Sequence, residues 1–136
     1  KYNRYNLYVH RQQHVYYTEN EGSFFFLIGN AVNPFDMEWD EQVIIERLAS
    51  NISKGKEACI DYVNKLTGSF FLGCISGEKI YFITDPTEML FCTYGKIAGN
   101  MYISSHTQLL GDVCNLQRSQ YAVKMESYKF YYSRKN

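Results

Sequence analysis

The run Ser23 to Gly29, SFFFLIG, is the feature that most limits how this chain can fold. A continuous apolar run between a Glu-Gly turn signal and a Pro-containing loop is typical of a strand covered on both faces. A strand with one wet face would alternate apolar and polar residues instead. The chain must therefore place one layer above this strand and another below it.

The remaining elements follow in a segregated order. The sequence predicts a first strand within residues 5–18, a turn at 19–22, a return strand at 23–29, a helix from about residue 40 that ends by Gly55, a helix at 57–66, strands at 70–75, 79–84, 89–94 and 100–104, a short helix at 107–112 and a helical tail over 117–125. The strand at 70–75 is predicted to begin a second sheet. Antiparallel strands in two sets, separated by helices, indicate the α+β class.

Composition excludes several kinds of partner. The 136 residues carry 14 basic and 14 acidic side chains, so no overall field attracts nucleic acid or anionic lipid. The opening residues interleave Arg with Tyr, as do protein surfaces that bind single-stranded nucleic acid. The zero net charge of the chain nevertheless disfavours nucleic-acid binding. No apolar stretch reaches the roughly 18 residues of a membrane helix. Aromatic residues make up 17% of the chain, which favours extensive sheet.

The cysteines predict reduced, buried thiols. The four cysteines are far apart and none belongs to a CxxC or Cys/His pair: Cys59, Cys74, Cys92 and Cys114. Zinc sites place ligands within a few residues of each other, so we expect no metal. Without a secretory signal, the sequence favours a cytoplasmic protein.

No motif offers a self-sufficient active site. Phosphate-binding loops and nucleophile elbows are missing from the sequence. His10 and His14 share one face of the predicted first strand and could ligate a metal, although a solvated pair is commoner. The cluster at 104–107, SSHT, could act in catalysis, but hydroxyl residues between a strand and a helix more often cap the helix. We therefore expect no cofactor.

Several short motifs in order carry a resemblance to a known family. They are LTGSFF at 66–71, TDP at 84–86, Tyr94, SSH at 104–106 with Leu109-Leu110, FLIGNAVN at 26–33 and DEQVIIERL at 40–48. Their order and spacing resemble the class II glutamine amidotransferase domain of asparagine synthetases, which carries LxGxFAF, RDP, NGEIYN and DxEVI motifs. The likeness spans about residues 23–113.

The resemblance implies the N-terminal-nucleophile fold. That fold is a four-layer αββα sandwich of two antiparallel sheets, here a single domain over residues 1–136 at the front of a longer protein. In the family, an N-terminal cysteine attacks glutamine while its own α-amino group accepts the proton. Lys1 stands at that position, and Ile28 aligns with the asparagine that holds the oxyanion. An isoleucine side chain cannot donate a hydrogen bond, so we expect no catalytic residues.

Part of the family's ligand pocket is retained. Gly29 and Asn33 match the family's glycine and second asparagine, and Asp40 matches the aspartate that contacts the substrate's α-amino group. Asp40 could equally serve as the negative charge at a helix N-terminus. Arg11 is a poor counterpart of the arginine that binds the glutamine carboxylate, and Asp85 corresponds to a structural turn residue.

The resemblance thus implies an inactive amidotransferase-like domain that packs against a following synthetase-like, ATP-using domain of the same chain. Two alternatives remain open at this point. The native protein could carry a Cys-bearing strand before Lys1 and be an active glutaminase. The chain could also be a stand-alone module whose cleft near Gly29, Asn33 and Asp40 binds a small amino acid or peptide.

Overall fold

The computed structural model describes residue 2 and residues 4–128, which form a mixed α+β structure. The described residues contain two antiparallel sheets, four α-helices and one 3₁₀ helix. The elements are β1 Val15–Asn20, β2 Ser23–Val32, α1 Glu41–Ser50, the 3₁₀ helix Asn51–Lys54, α2 Lys56–Val63, β3 Thr67–Ser76, β4 Lys79–Thr84, β5 Thr93–Ile97, β6 Asn100–Ser104, α3 Thr107–Val113 and α4 Gln120–Glu126. The α+β class and its two antiparallel sheets are confirmed.

The chain divides into two compact units, Lys1–Phe91 and Cys92–Asn136. The first unit holds the four-stranded sheet in the order β1-β2-β3-β4, together with α1 and α2. The second holds the two-stranded sheet of β5 and β6, with α3 and α4. None of the helices in the described part of the chain has the length and apolar character to span a bilayer.

β2 and β3 form the centre of the larger sheet. They pair antiparallel across the two helices that separate them, with Leu27 opposite Leu72 and Phe25 opposite Cys74. The prediction that residues 70–75 begin a second sheet is therefore wrong. Both strands are apolar along most of their length, so pairing them in one sheet buries both at once.

The core lies between this sheet and α1. Ile44 and Ile45 of α1 are fully buried, as is Leu27 of the sheet, and Phe70 is 1% exposed. Fully burying a side chain of this size contributes about 1.5–3 kcal/mol. The helix that the apolar stripe predicted therefore provides the cover on one face of β2, and it begins at Glu41 as expected.

The opposite face of the sheet carries a row of aromatic rings. Neighbouring centroids lie 5.8–6.2 Å apart along the series Tyr17, Phe24, Phe26, Phe71 and Phe82. Offset and tilted ring pairs at such distances attract each other beyond the burial of their area. The row crosses all four strands, so both faces of the sheet are apolar, as the run at 23–29 predicts.

Several boundaries differ from the predicted ones. The first strand begins only at Val15, and His10 and His14 precede it, so they do not share a strand face. The strand predicted at 89–94 begins at Thr93, because residues 87–90 are held in the turn that follows β4. The turn after β1 lies within the predicted residues 19–22, the turn after β3 lies between the strands predicted at 70–75 and 79–84, and β4 has the predicted bounds. Lys1 and the end of the tail lie outside the described residues.

Candidate functional site

Gly29 lies in β2, directly opposite Phe70 of β3. Its φ of +95° is one that side-chain-bearing residues rarely adopt. A Cβ added there would collide with the backbone oxygen of Ser69 and would come within 2.8 Å of the Leu90 side chain. The glycine is therefore required by close packing, and β3 and Leu90 occupy the space beside it.

Asn33 follows β2 and is completely buried. Its backbone exchanges two hydrogen bonds with Glu38, at 2.9 and 3.0 Å. Its side-chain oxygen accepts from the backbone N–H groups of Phe35 and Asp36, and its amide nitrogen donates to the Asp36 carboxylate at 3.0 Å. The amide thus organises its own loop, in the manner of an Asx turn.

Asp40 is the N-cap of α1. One carboxylate oxygen accepts from the backbone N–H groups of Gln42 at 2.9 Å and Val43 at 3.3 Å. Such a cap satisfies backbone donors that have no partner within the helix. Of the two roles considered for Asp40, the structure shows the one at the helix N-terminus.

A group of polar residues, which we call the loop clamp, holds the segment between Asn33 and Asp40. Arg47 of α1 reaches back to the loop, with nitrogens 3.7 Å from Asp36 and 3.3 Å from Glu38. The other Glu38 carboxylate oxygen accepts from the N–H groups of Trp39 and Asp40. The clamp comprises Asn33, Asp36, Glu38, Arg47 and Tyr62.

Tyr62 closes the clamp from α2. Its hydroxyl is buried beside Asn33 and has no hydrogen-bond partner within the described residues. Burial raises the pKa of this hydroxyl, so it stays neutral. Sequence reasoning missed Asp36, Glu38, Arg47 and Tyr62. An Asn followed three residues later by Asp, across a proline, was a usable signal for the turn, but nothing local points to Arg47.

Above the clamp, the loop displays three large apolar side chains, which we call the apolar tip. Phe35 is 76% exposed, Met37 68% and Trp39 58%. Met37 adopts a φ of +53°, in the left-handed region. Asp36 and Glu38, which alternate with these three residues, belong to the loop clamp and pair with Arg47. The loop is therefore polar on the side of α1, and its apolar side chains are exposed to solvent.

Three of the four cysteines, Cys59, Cys74 and Cys92, are not activated as nucleophiles. All four are free and half-buried. Burial raises the pKa of the Cys59 and Cys92 thiols, and it raises that of Cys74 to about 11, with a contribution from nearby Cys59. Because the thiolate is the attacking form, these three thiols are poor nucleophiles at neutral pH.

The cluster at 104–107 is a local turn. The Ser104 hydroxyl accepts from the backbone N–H of His106, and the Ser105 hydroxyl lies 2.9 Å from His106 Nδ1. Thr107 bonds to Thr93 at 2.6 Å. No hydroxyl caps α3, whose N-cap is His106, so the predicted helix cap is wrong in detail. Over the residues that the structure describes, no three His, Cys, Asp or Glu side chains come together as a metal site.

Asp85, which follows β4, is a structural turn residue as expected. It is 1% exposed and accepts hydrogen bonds from the Thr87 hydroxyl and from the backbone N–H groups of Thr87, Met89 and Leu90. These bonds, that of the Thr87 hydroxyl above all, lower its pKa to about 2. The carboxylate is therefore fully engaged within its own loop.

The chain matches no protein-family model, no curated protein and no solved structure.

Proposed function

We propose that this chain is a catalytically inactive glutamine-amidotransferase-like domain of an asparagine-synthetase-related protein. Its role is structural: it packs against a following ATP-using domain of the same chain. The observation that carries the proposal is that the residues at the family's pocket positions are used within this chain's own fold, so they are not free to bind a ligand. Asn33 and Asp40 satisfy nearby N–H groups, and Gly29 lies against β3.

The engaged polar groups argue against glutamine binding. A pocket for an amino acid must offer polar groups that are free to pair with the ligand's charged ends. The Asn33 amide is fully buried and makes three hydrogen bonds within its loop. Binding a ligand through it would first break these bonds.

The chemistry of the chain argues against glutamine hydrolysis. The thiols of Cys59, Cys74 and Cys92 have raised pKa values. Ile28, at the position of the family's oxyanion-holding asparagine, lies in β2 opposite Phe71. Losing one such donor costs on the order of a hundredfold in rate.

The proposal includes the four-layer αββα arrangement. One face of the four-stranded sheet packs against α1, and the other carries the row of aromatic rings from Tyr17 to Phe82. A sheet that is apolar on both faces calls for a second layer on the aromatic side. A second antiparallel sheet is the cover that the family resemblance implies.

Ammonia release from glutamine by the intact protein tests the inactive assignment. We expect no ammonia above the buffer rate. As a control, the same assay is run on a variant with Cys59, Cys74, Cys92 and Cys114 all changed to Ala. Release that survives this change and is lost when a cysteine preceding Lys1 is removed would show an active glutaminase. Release that the change abolishes would show that an internal thiol reacts.

Calorimetry with glutamine, asparagine and aspartate tests the amino-acid-binding alternative. We expect no heat of binding from any of them. Binding that is lost in the Asn33→Ala variant and kept in an Asn30→Ala variant would assign the ligand to the cleft, and the structural role of Asn33 would then be incomplete. Asn30 is exposed on β2 and provides the matched control.

A further inference from the structure

The proposed function leaves unexplained a short turn that precedes β1 and is formed around Tyr2 and Tyr5. These two residues exchange backbone hydrogen bonds at 3.0 and 2.9 Å. Their side chains contact residues that lie much further along the chain, at Gly22, Phe24 and Glu78. These long-range contacts hold the turn against the four-stranded sheet.

Tyr2 covers one end of the row of aromatic rings. Its ring stacks on Phe24, with centroids 4.6 Å apart and planes 21° apart. Its hydroxyl lies 3.5 Å from the Gly22 carbonyl oxygen, to which it donates. Phe24 follows Ser23 at the start of β2, so its ring is at the end of the row beside the β1–β2 turn. Tyr2 therefore extends the row by one ring and shields Phe24 from solvent.

Arg4 and Tyr5 bind the other turn at this end of the sheet. The Arg4 guanidinium and the Tyr5 hydroxyl both donate to the Glu78 carbonyl oxygen, at 3.0 and 2.8 Å. The guanidinium carbon of Arg4 also lies 5.6 Å from the centre of the Tyr5 ring, within the range of a cation–π contact. Glu78 belongs to the tight turn between β3 and β4.

The two turns are neighbours because the central strands are in register. Ser23 at the start of β2 pairs with Ser76 at the end of β3, and their hydroxyl oxygens lie 2.9 Å apart. Tyr2, Arg4 and Tyr5, which we call the strap, therefore bridge the β1–β2 turn and the β3–β4 turn.

The strap is joined to the sheet by contacts that can open separately from the core. Its three side-chain hydrogen bonds to the turns lie at the surface. Residues 6–14, which connect it to β1, are all exposed, and Tyr8 is 88% exposed. Within this segment the Gln13 backbone N–H donates to the His10 carbonyl oxygen, so that bond stays local. Segments with exposed hydrogen bonds and little buried apolar surface open at low free energy.

We propose that the strap is a releasable cover for Phe24. Bound, it links the two turns and shields the end of the aromatic row. Released, it exposes Phe24 and frees both turns, while the strands keep the hydrogen bonds of their own ladder. The strap thereby controls how much aromatic surface the first unit presents to solvent, and this role does not depend on the proposed function.

Two variants of the intact protein test the cover. The strap variant combines Tyr2→Ala, Arg4→Gln and Tyr5→Phe, which together remove the stacked ring, the guanidinium and the hydroxyl. The control variant combines Tyr8→Ala and Arg11→Gln. These two control positions lie in the exposed segment 6–14 and have the same residue types as the strap.

Hydroxyl-radical footprinting with mass spectrometry measures the exposure of individual side chains. We expect oxidation of Phe24 to rise at least about twofold in the strap variant, because the ring loses its stacking partner, and to stay unchanged in the control variant. Phe25, which is 2% exposed, is the internal reference and should not change. Unchanged oxidation of Phe24 in the strap variant would overturn the cover. An equal rise at Phe25 would also overturn it, because the sheet itself would then have opened.

Amide hydrogen exchange in the unaltered protein, followed by NMR, tests the release. The Tyr5 amide donates to Tyr2 within the strap, and Leu27 is fully buried in β2. We expect the Tyr5 amide to exchange at least about a hundredfold faster than that of Leu27, because the strap opens while the sheet stays folded. Equal rates would show that the strap opens only with the whole unit. Exchange of Tyr5 at the rate of an unstructured peptide would show that the strap does not form.

Discussion

Two loops of the first unit are each organised by hydrogen bonds from the backbone to one buried side chain, which is an amide in one loop and a carboxylate in the other. Each follows a strand and is built around one buried side chain that accepts backbone N–H groups: Asn33 after β2 and Asp85 after β4. The first uses a neutral amide and adds the clamp of Arg47 from α1. The second uses a carboxylate whose pKa is lowered to about 2. This difference shows that a charged carboxylate can fix a loop by local hydrogen bonds alone. The loop built around a neutral amide has, in addition, ion pairs to a residue of a neighbouring helix.

The largest expected effect comes from removing the amide of the first loop. Asn33→Ala deletes three hydrogen bonds at a fully buried position, so we expect it to lower the free energy of unfolding by about 2 kcal/mol. Urea denaturation measures this change. Asn30→Ala, at an exposed position, should change stability by less than about 0.5 kcal/mol. A loss at Asn33 no larger than at Asn30 would show that the amide does not organise the loop.

The next effect separates the two loops by pH. The pKa of Asp85 is about 2 in the folded protein and 3.8 as the ordinary value. Its stabilising contribution is therefore fully present above about pH 4 and is lost as the pH falls toward 2. We expect Asp85→Asn to flatten the fall of the urea midpoint between pH 4 and 2. Asn33→Ala is the control and should leave the fall of the urea midpoint with pH unchanged. If Asp85→Asn also leaves it unchanged, groups other than Asp85 cause the acid sensitivity.

A smaller effect of opposite sign is expected at Tyr62. Its buried hydroxyl lacks a partner in the described structure, so Tyr62→Phe should raise the free energy of unfolding by up to about 1 kcal/mol. Thermal unfolding of the two proteins at equal concentration provides the comparison. Destabilisation would instead indicate that the hydroxyl binds an ordered water and belongs to the hydrogen-bonded part of the clamp.

The smallest effect is expected from removing the guanidinium of Arg47, which pairs with Asp36 and Glu38 of the first loop. Arg47 is 46% exposed, and exposed ion pairs contribute little. We expect Arg47→Met to cost about 0.5 kcal/mol at low salt and less in 0.5 M salt, measured by urea denaturation. A cost that does not change with salt would contradict the assignment of this effect to the ion pairs with Asp36 and Glu38.

The sequence predicted the parts of the site that depend on near neighbours. Asp40 could be assigned to a helix start because an acidic residue directly precedes an apolar helical stripe. Asp85 could be assigned to a turn from the Asp-Pro pair. The environment of Gly29 could not be predicted, because it depends on Ser69 and Leu90, which are distant in the sequence. Arg47 was missed for the same reason.

Local patterns alone determined the turn at Glu21-Gly22, the tight turn before β4, the start of α1 and the apolar character of β2, since each depends on the conformational preferences of a few adjacent residues. Only the tertiary structure decided that β2 pairs with β3 and that Asn33 is buried in a loop clamp. Those outcomes depend on which distant apolar surfaces become buried together. Many pairings satisfy the same local pattern, and only the packed chain selects one.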